Sequence, residues 1–153
     1  MGCSRRWAST CGCWISHNVL SLFLPLLLVL LVRSVGSLSM DRLSFLIWNV
    51  RGLNDKARRD NLRKVVDDAR PVVVCIQETK LAHISERDVI SFLGRDFTNF
   101  VYLPAQQTRG GILIAWRDGS FMVNHHRVHR HSVSILFSNN EDPAWWFTGV
   151  YGP

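Results

Sequence analysis

An α/β fold is predicted for residues 41–153 from three features of the sequence. Two near-continuous apolar runs, Leu43–Asn49 (LSFLIWN) and Val72–Ile76 (VVVCI), read as buried strands. Between them Lys56 to Ala69 sets Leu62, Val65, Val66 and Ala69 at i, i+3, i+4 and i+7, one narrow helical stripe. After about residue 100 the pattern turns to strands alone. Two strands joined by a crossover helix make a βαβ unit, which predicts parallel neighbours in a right-handed connection.

Residues 1–40 form an apolar leader. Its core, Val19 to Val32, has 14 residues without a charge, preceded by Arg5 and Arg6 and closed by Arg33. As a helix this core spans roughly 21 Å, short of a hydrocarbon layer of about 30 Å, so a signal peptide fits better than a membrane span. Ser34-Val35-Gly36 is a tolerable cleavage site, and extension back to Trp14 gives a marginal anchor that buries His17 and Asn18. Signal peptide, anchor and an extension foreign to the protein, with Met40 as the true start, all remain open. Localisation follows the leader: membrane or secretory pathway if it is real, nuclear if it is not. Cys3, Cys11 and Cys13 are available for acylation, but Arg6 breaks the myristoylation pattern.

In the body, Gly52-Leu53-Asn54-Asp55 turns the chain into the first helix. Pro71 stops that helix and pushes Arg70 out of helical geometry. Ser85, with Asp88 three residues on, caps a second helix, Glu86 to Leu93. Five strands are predicted after it: Phe100–Leu103, Gly111–Trp116, Phe121–His126, Val128–Phe137 and Trp145–Tyr151. Turn signals fall at Asp118-Gly119 and over 139–143.

Composition excludes several classes. With 47% hydrophobic and 20% charged residues the chain is neither disordered nor collagenous, and four cysteines, three of them crowded at positions 3, 11 and 13, are no disulfide framework. Of the net charge of +6, three arginines belong to the leader; the rest is 15 Lys+Arg against 12 Asp+Glu. That excess attracts a polyanion but does not establish nucleic-acid binding.

Chemistry is expected where the two parallel strands end. The first finishes Asn49-Val50-Arg51-Gly52-Leu53 and the second Gln77-Glu78-Thr79-Lys80. Parallel strands end on the same sheet edge, where open α/β sheets place ligands, so Asn49 and Glu78 should approach one another. A carboxylate beside an amide suits a hard cation and a phosphate oxygen. On spacing alone, two polar residues that merely terminate buried strands give the same pattern.

WNVRGL followed by IQETK, then GGILIAW (110–116) and VYGP (150–153), resembles the endonuclease/exonuclease/phosphatase superfamily, the DNase I-like fold. The spelling is most similar to endonuclease domains of plant non-LTR (LINE-type) retrotransposons. The likeness covers about residues 43 to 153 and implies a partial α/β sandwich, with about one of the family's two sheets plus flanking helices. It implies Mg²⁺-dependent phosphodiester hydrolysis on DNA, with Glu78 as principal metal ligand. Asn49 would belong to the network around the attacked phosphate, and Tyr151 would contact that phosphate. Arg51 departs from relatives that carry an acidic residue or Asn there; its guanidinium suits a phosphate instead. Lys80 would stand beside the metal carboxylate. Arg109 would reach a nucleic-acid backbone or stay a solvated arginine.

The family's Asp-x-Asn and Ser-Asp-His motifs, which supply the water-orienting carboxylate and a phosphate-binding His, do not occur in these 153 residues. Each loss is expected to cost about 10²–10⁴-fold, so the chain as it stands is expected to be inactive. With one sheet, the face carrying Ile112, Ile114, Val133, Ile135, Phe137, Trp145 and Phe147 would be uncovered, predicting poor solubility or a second chain over it. The rival readings are a non-catalytic tethered or secreted protein and a phosphatase or phosphodiesterase of the same superfamily.

Three weaker signals remain. HHRVHRH (125–131) reads as the solvent side of a strand, with His125, His129 and His131 on one face and His126 on the other where 121–137 is extended throughout, or as a metal site. Arg58, Arg59, Arg63 and Lys64 read as a solvated helix face. Of Trp145 and Trp146, one should be core and one exposed.

Overall fold

The computed structural model describes residues 27–31, 43–107, 109–140 and 143–151. Eight strands and two helices follow in chain order: β1 Leu27–Leu31, β2 Ser44–Asn49, α1 Lys56–Ala69, β3 Val73–Gln77, α2 Glu86–Leu93, β4 Asn99–Leu103, β5 Ile112–Trp116, β6 Met122–Val128, β7 Ser132–Ser138 and β8 Trp145–Val150. They build two sheets, one ordered β1-β2-β3-β5-β4 and one ordered β6-β7-β8. β2 and β3 are parallel, Asn49 opposite Gln77, as the βαβ reading requires.

Alternation sorts the first sheet's side chains onto two faces. Leu46, Val74, Ile76, Leu113 and Ala115 pack under Leu62 and Val66 of α1 and Val89, Phe92 and Leu93 of α2. Phe45, Val73, Cys75, Ile112, Ile114 and Trp116 point the other way, into a second core shared with Val133, Ile135, Phe137 and Phe147. The partial α/β sandwich stands, built from parts of two sheets rather than about one. The strands after residue 120 form a separate sheet that folds over the first, because their inward residues match its bare face in period and bulk. Ile112, Ile114, Val133, Ile135 and Phe137 are fully buried, and Phe147 nearly so. The expected second chain therefore has no open face to cover there, and the solubility argument built on that face falls with it.

Burial raises the Cys75 thiol to about 12, which keeps it protonated and inert in this core.

Both helices stop and start where their residues dictate. Asp55 accepts the Ala57 N–H at the start of α1, and Arg70 ends it at φ 46. Ser85 and Asp88 form a reciprocal capping box on α2. The Ser85 hydroxyl, and then its N–H, donate to the Asp88 carboxylate and hold its pKa below the ordinary 3.8. A depressed carboxylate stabilises the fold above its unfolded pKa and loses that contribution as pH falls through its folded value. Ser85→Ala is expected to cost about 1 kcal/mol. Asp88→Asn should flatten the acid-side decline of the urea midpoint below pH 3.8; an unchanged decline would remove Asp88 from the acid response.

β1 falls inside the apolar leader, pairing antiparallel with β2 from Leu27 opposite Trp48 to Leu31 opposite Ser44. These five residues are extended, where a leader core is expected to be helical. Pairing with β2 gives partners to the backbone groups on that side and covers the edge of β2, with β1 now the edge strand. Cys3, Cys11, Cys13, Arg5, Arg6, the cleavage site at 34–36 and Met40 lie outside the described residues. No helix among the described residues is long and apolar enough to cross a membrane.

The histidine-rich stretch is not one strand. β6 ends at Val128, the chain turns at 129–131 where the His129 N–H donates to the Ser132 carbonyl (2.8 Å), and β7 returns. His125 pairs with Leu136 and His126 with Ile135, on opposite faces as expected, but His131 leaves the strand for the turn. Among the described residues no group of three or more His, Cys, Asp and Glu is arranged to hold a metal. Trp145 joins the inter-sheet core and Trp146 stays exposed, with the Arg127 guanidinium 5.3 Å from its ring centroid.

Candidate active site

The parallel register carries Asn49 and Glu78 to one edge of the first sheet. The Asn49 amide donates from Nδ2 to Glu78 Oε1 at 2.8 Å, while its Oδ1 accepts the Arg51 N–H at 3.2 Å. One amide thus fixes both the carboxylate and the loop after β2. Glu78 is half-buried, and its Oε2 makes no hydrogen bond among the described residues.

Loop geometry around this pair is strained. Arg51 (φ 54), Glu78 (φ 54) and Lys80 (φ 56) are three of only five non-glycine residues with positive φ among the described residues. Such conformations cost about 1–3 kcal/mol each and gather where geometry serves function. They persist because the loops are bonded to one another. Leu53 N–H donates to the Thr79 carbonyl (2.8 Å), Thr79 N–H to Gly111 (3.2 Å) and Lys80 N–H to Gly110 (3.0 Å).

Tyr151 arrives from the second sheet. Its ring lies against Gly110, where an added Cβ would stand 2.4 Å from the ring. Its N–H donates to the His131 carbonyl (3.1 Å), and the His131 ring meets it edge-on at 5.4 Å. Gln77 Nε2 donates to the Val150 carbonyl at 2.6 Å.

The three residues Asn49, Glu78 and Tyr151 therefore converge on one loop cluster, with Lys80 part of it. Arg51 is exposed at its rim. Arg109 is exposed too, its backbone paired in both directions with Gln106, next to Gly110.

Five contributors escaped the sequence reading. Arg58 donates to the Arg51 carbonyl and lies beside Gly52 with the Lys80 side chain, so it serves the site loop as well as the helix face. Arg59 donates to the carbonyls of Leu53 (2.7 Å) and Asn54 (2.9 Å), and Arg63 to that of Ile90 (3.3 Å). These arginines fasten α1 to its neighbours, which a pattern of alternating charges does not reveal. Gln77 and His131 are the other two. The nearest signal for Gln77 was its place beside Glu78.

Glu78 fits a hard divalent cation as a single carboxylate oxygen donor. Mg²⁺ commonly takes one or two carboxylates and completes its shell with waters and phosphate oxygens, so no larger protein cluster is needed.

The fold is thus a two-sheet α/β sandwich with an amide, a carboxylate and a tyrosine gathered at its strand ends. The chain belongs to the Endonuclease/Exonuclease/phosphatase family, which it matches over residues 46–151. Among solved structures it is similar in fold to the AP endonuclease LMAP from Leishmania major, with a TM-score of 0.51 and 22% identity over 70% of this chain. The match spans 39% of that enzyme's length. No curated protein matches the sequence.

Proposed function

We propose that residues 43–151 are the N-terminal portion of a Mg²⁺-dependent endonuclease domain of the non-LTR retrotransposon type, acting on DNA. The observation that carries this reading is the Asn49–Glu78 hydrogen bond at the ends of two parallel strands, inside the family's matched segment. The spelling WNVRGLN…QETK…GGILIAW…VYGP supports the retrotransposon type over other branches.

In this reading each residue has a task. The Asn49 amide orients the Glu78 carboxylate, leaving Oε2 to face a cation. Glu78 would hold Mg²⁺, which supplies Lewis-acid stabilisation of phosphate charge when bound. The Tyr151 hydroxyl donates to a phosphate oxygen, and the Arg51 and Lys80 cations neutralise the substrate backbone. Arg109 extends that basic rim. Water still needs a positioned carboxylate, and the only acids past residue 100 are Asp118, Glu141 and Asp142, none in the family's Asp-x-Asn context. These 153 residues alone are therefore proposed to bind metal and DNA without useful turnover.

The test pairs plasmid nicking with Mg²⁺ titration of the full chain and its Glu78→Ala variant. Mg²⁺ affinity is expected to fall by about tenfold or more in the variant, with no nicking by either protein. Nicking that vanishes with Glu78→Ala would overturn the inactivity and show that another residue supplies the base. Equal Mg²⁺ affinity in both proteins would remove Glu78 from the metal site.

A further inference from the structure

We propose that Gln77 is a positioning residue that sets Tyr151 against Glu78 by tying the two sheets together at the site. The inference deepens the reading of Asn49, Glu78 and Tyr151 as one site and rests on it. Those residues come from three strand ends, and Gln77 touches all three. Its carbonyl accepts the Val50 N–H at 3.1 Å, directly after Asn49. Its own backbone leads into Glu78. Its side-chain amide reaches across to the Val150 carbonyl at 2.6 Å, directly before Tyr151.

What makes this bond decisive is its isolation. Among the described residues it is the one hydrogen bond joining a strand of the first sheet to a strand of the second. Around it the two sheets meet through apolar contact among Phe45, Ile112, Ile114, Phe137 and their neighbours. Apolar burial is non-directional, so it holds the sheets together without fixing how far one slides along the other. A hydrogen bond has length and angle requirements and does fix that. Tyr151 otherwise packs against the edge of the inter-sheet core, the Gly110 backbone beneath its ring, and the His131 carbonyl and ring. His131 moves with the second sheet and cannot report the position of the first.

The chain has only two tyrosines, Tyr102 and Tyr151. Tyr102 lies on β4 with its own partner, His83, and serves as an internal reference. The experiment is NMR of the full chain carrying ¹³C-labelled tyrosine rings. Gln77→Glu keeps the shape and loses the donor, placing a carboxylate oxygen against the Val150 carbonyl. It is expected to displace the Tyr151 signals while leaving those of Tyr102 in place. Gln77→Lys restores a donor of similar reach and is expected to return Tyr151 to its native position. Unmoved Tyr151 signals in Gln77→Glu, or displacement of both tyrosines together, would overturn the proposal. If Gln77→Glu does not fold, Gln77→Lys decides: a folded protein with native Tyr151 signals traces the loss to the donor, and displaced signals overturn the proposal. A Mg²⁺ titration of the same samples separates the two readings. Mg²⁺ should move Tyr151 in the wild-type chain and not in Glu78→Gln; failure there counts against the shared site, whereas the Gln77 variants read Tyr151 placement without metal.

Discussion

Replacing Phe137 by alanine is expected to destabilise the fold by about 3–5 kcal/mol, a large share of the 5–15 kcal/mol typical of a whole domain. Phe137 has no exposed surface. Its ring lies 4.9 Å from Phe121, 4.9 Å from Trp145 and 5.4 Å from Trp116 between centroids. Two of these neighbours belong to other segments of the second core and Trp116 to the facing sheet, so truncation opens a cavity at the seam of the sandwich. Urea unfolding monitored by fluorescence measures the loss. Trp146→Ala is the comparison: Trp146 is 45% exposed and its main partner is Arg127, so its loss should stay below about 1 kcal/mol. Equal small effects at both positions would mean that the two sheets do not pack as described.

The second large effect is expected at Gly111. A Cβ built there stands 2.2 Å from Thr79 Oγ1, a fully buried side chain, and the backbone sits at φ +89. Gly111→Ala combines backbone strain of about 1–2 kcal/mol with overpacking of about 1–3 kcal/mol. Gly119 isolates the first contribution, because it has φ +72 with nothing within 4 Å of the added Cβ. Gly111→Ala should therefore cost clearly more than Gly119→Ala in the same urea titration. Matching losses would show that the loop after β3 does not approach Gly111 so closely.

Gly111 also explains why two glycines open β5. The loop carrying Glu78 and Lys80 is bonded to the carbonyls of both Gly110 and Gly111, and only a residue without a Cβ lets it come that near. The strain at Glu78 and Lys80 is held by those bonds. Gly110 also gives Tyr151 its seat, so the Glu78 loop and the tyrosine share one platform.

Much of this was legible because it depends on local pattern. The bounds of α1 and α2, the departure of Arg70 from helical geometry, the Ser85–Asp88 box and the opposite faces of Trp145 and Trp146 follow from capping, proline and alternation; that Arg70 leaves into the αL region does not. The meeting of Asn49 and Glu78 followed too, since a βαβ unit dictates that parallel strands finish on one edge. In the histidine stretch the sequence places the break between strands at 127 and the structure at 129–131, where no glycine or proline marks the turn.

The sequence by itself determined the α/β class, the helices, the parallel pair and the residues at its end, because periodicity and capping act within a few residues of one another. Only the tertiary structure decided that the late strands form a second sheet over the first, that Arg58, Arg59 and Arg63 bond back to loops, and that Gln77 reaches Val150, 73 positions away. An inward-facing Ile or Phe reads the same whichever surface covers it. The partner of a buried face or a long polar side chain is chosen by where the chain returns in space, and that choice leaves no periodic trace along the sequence.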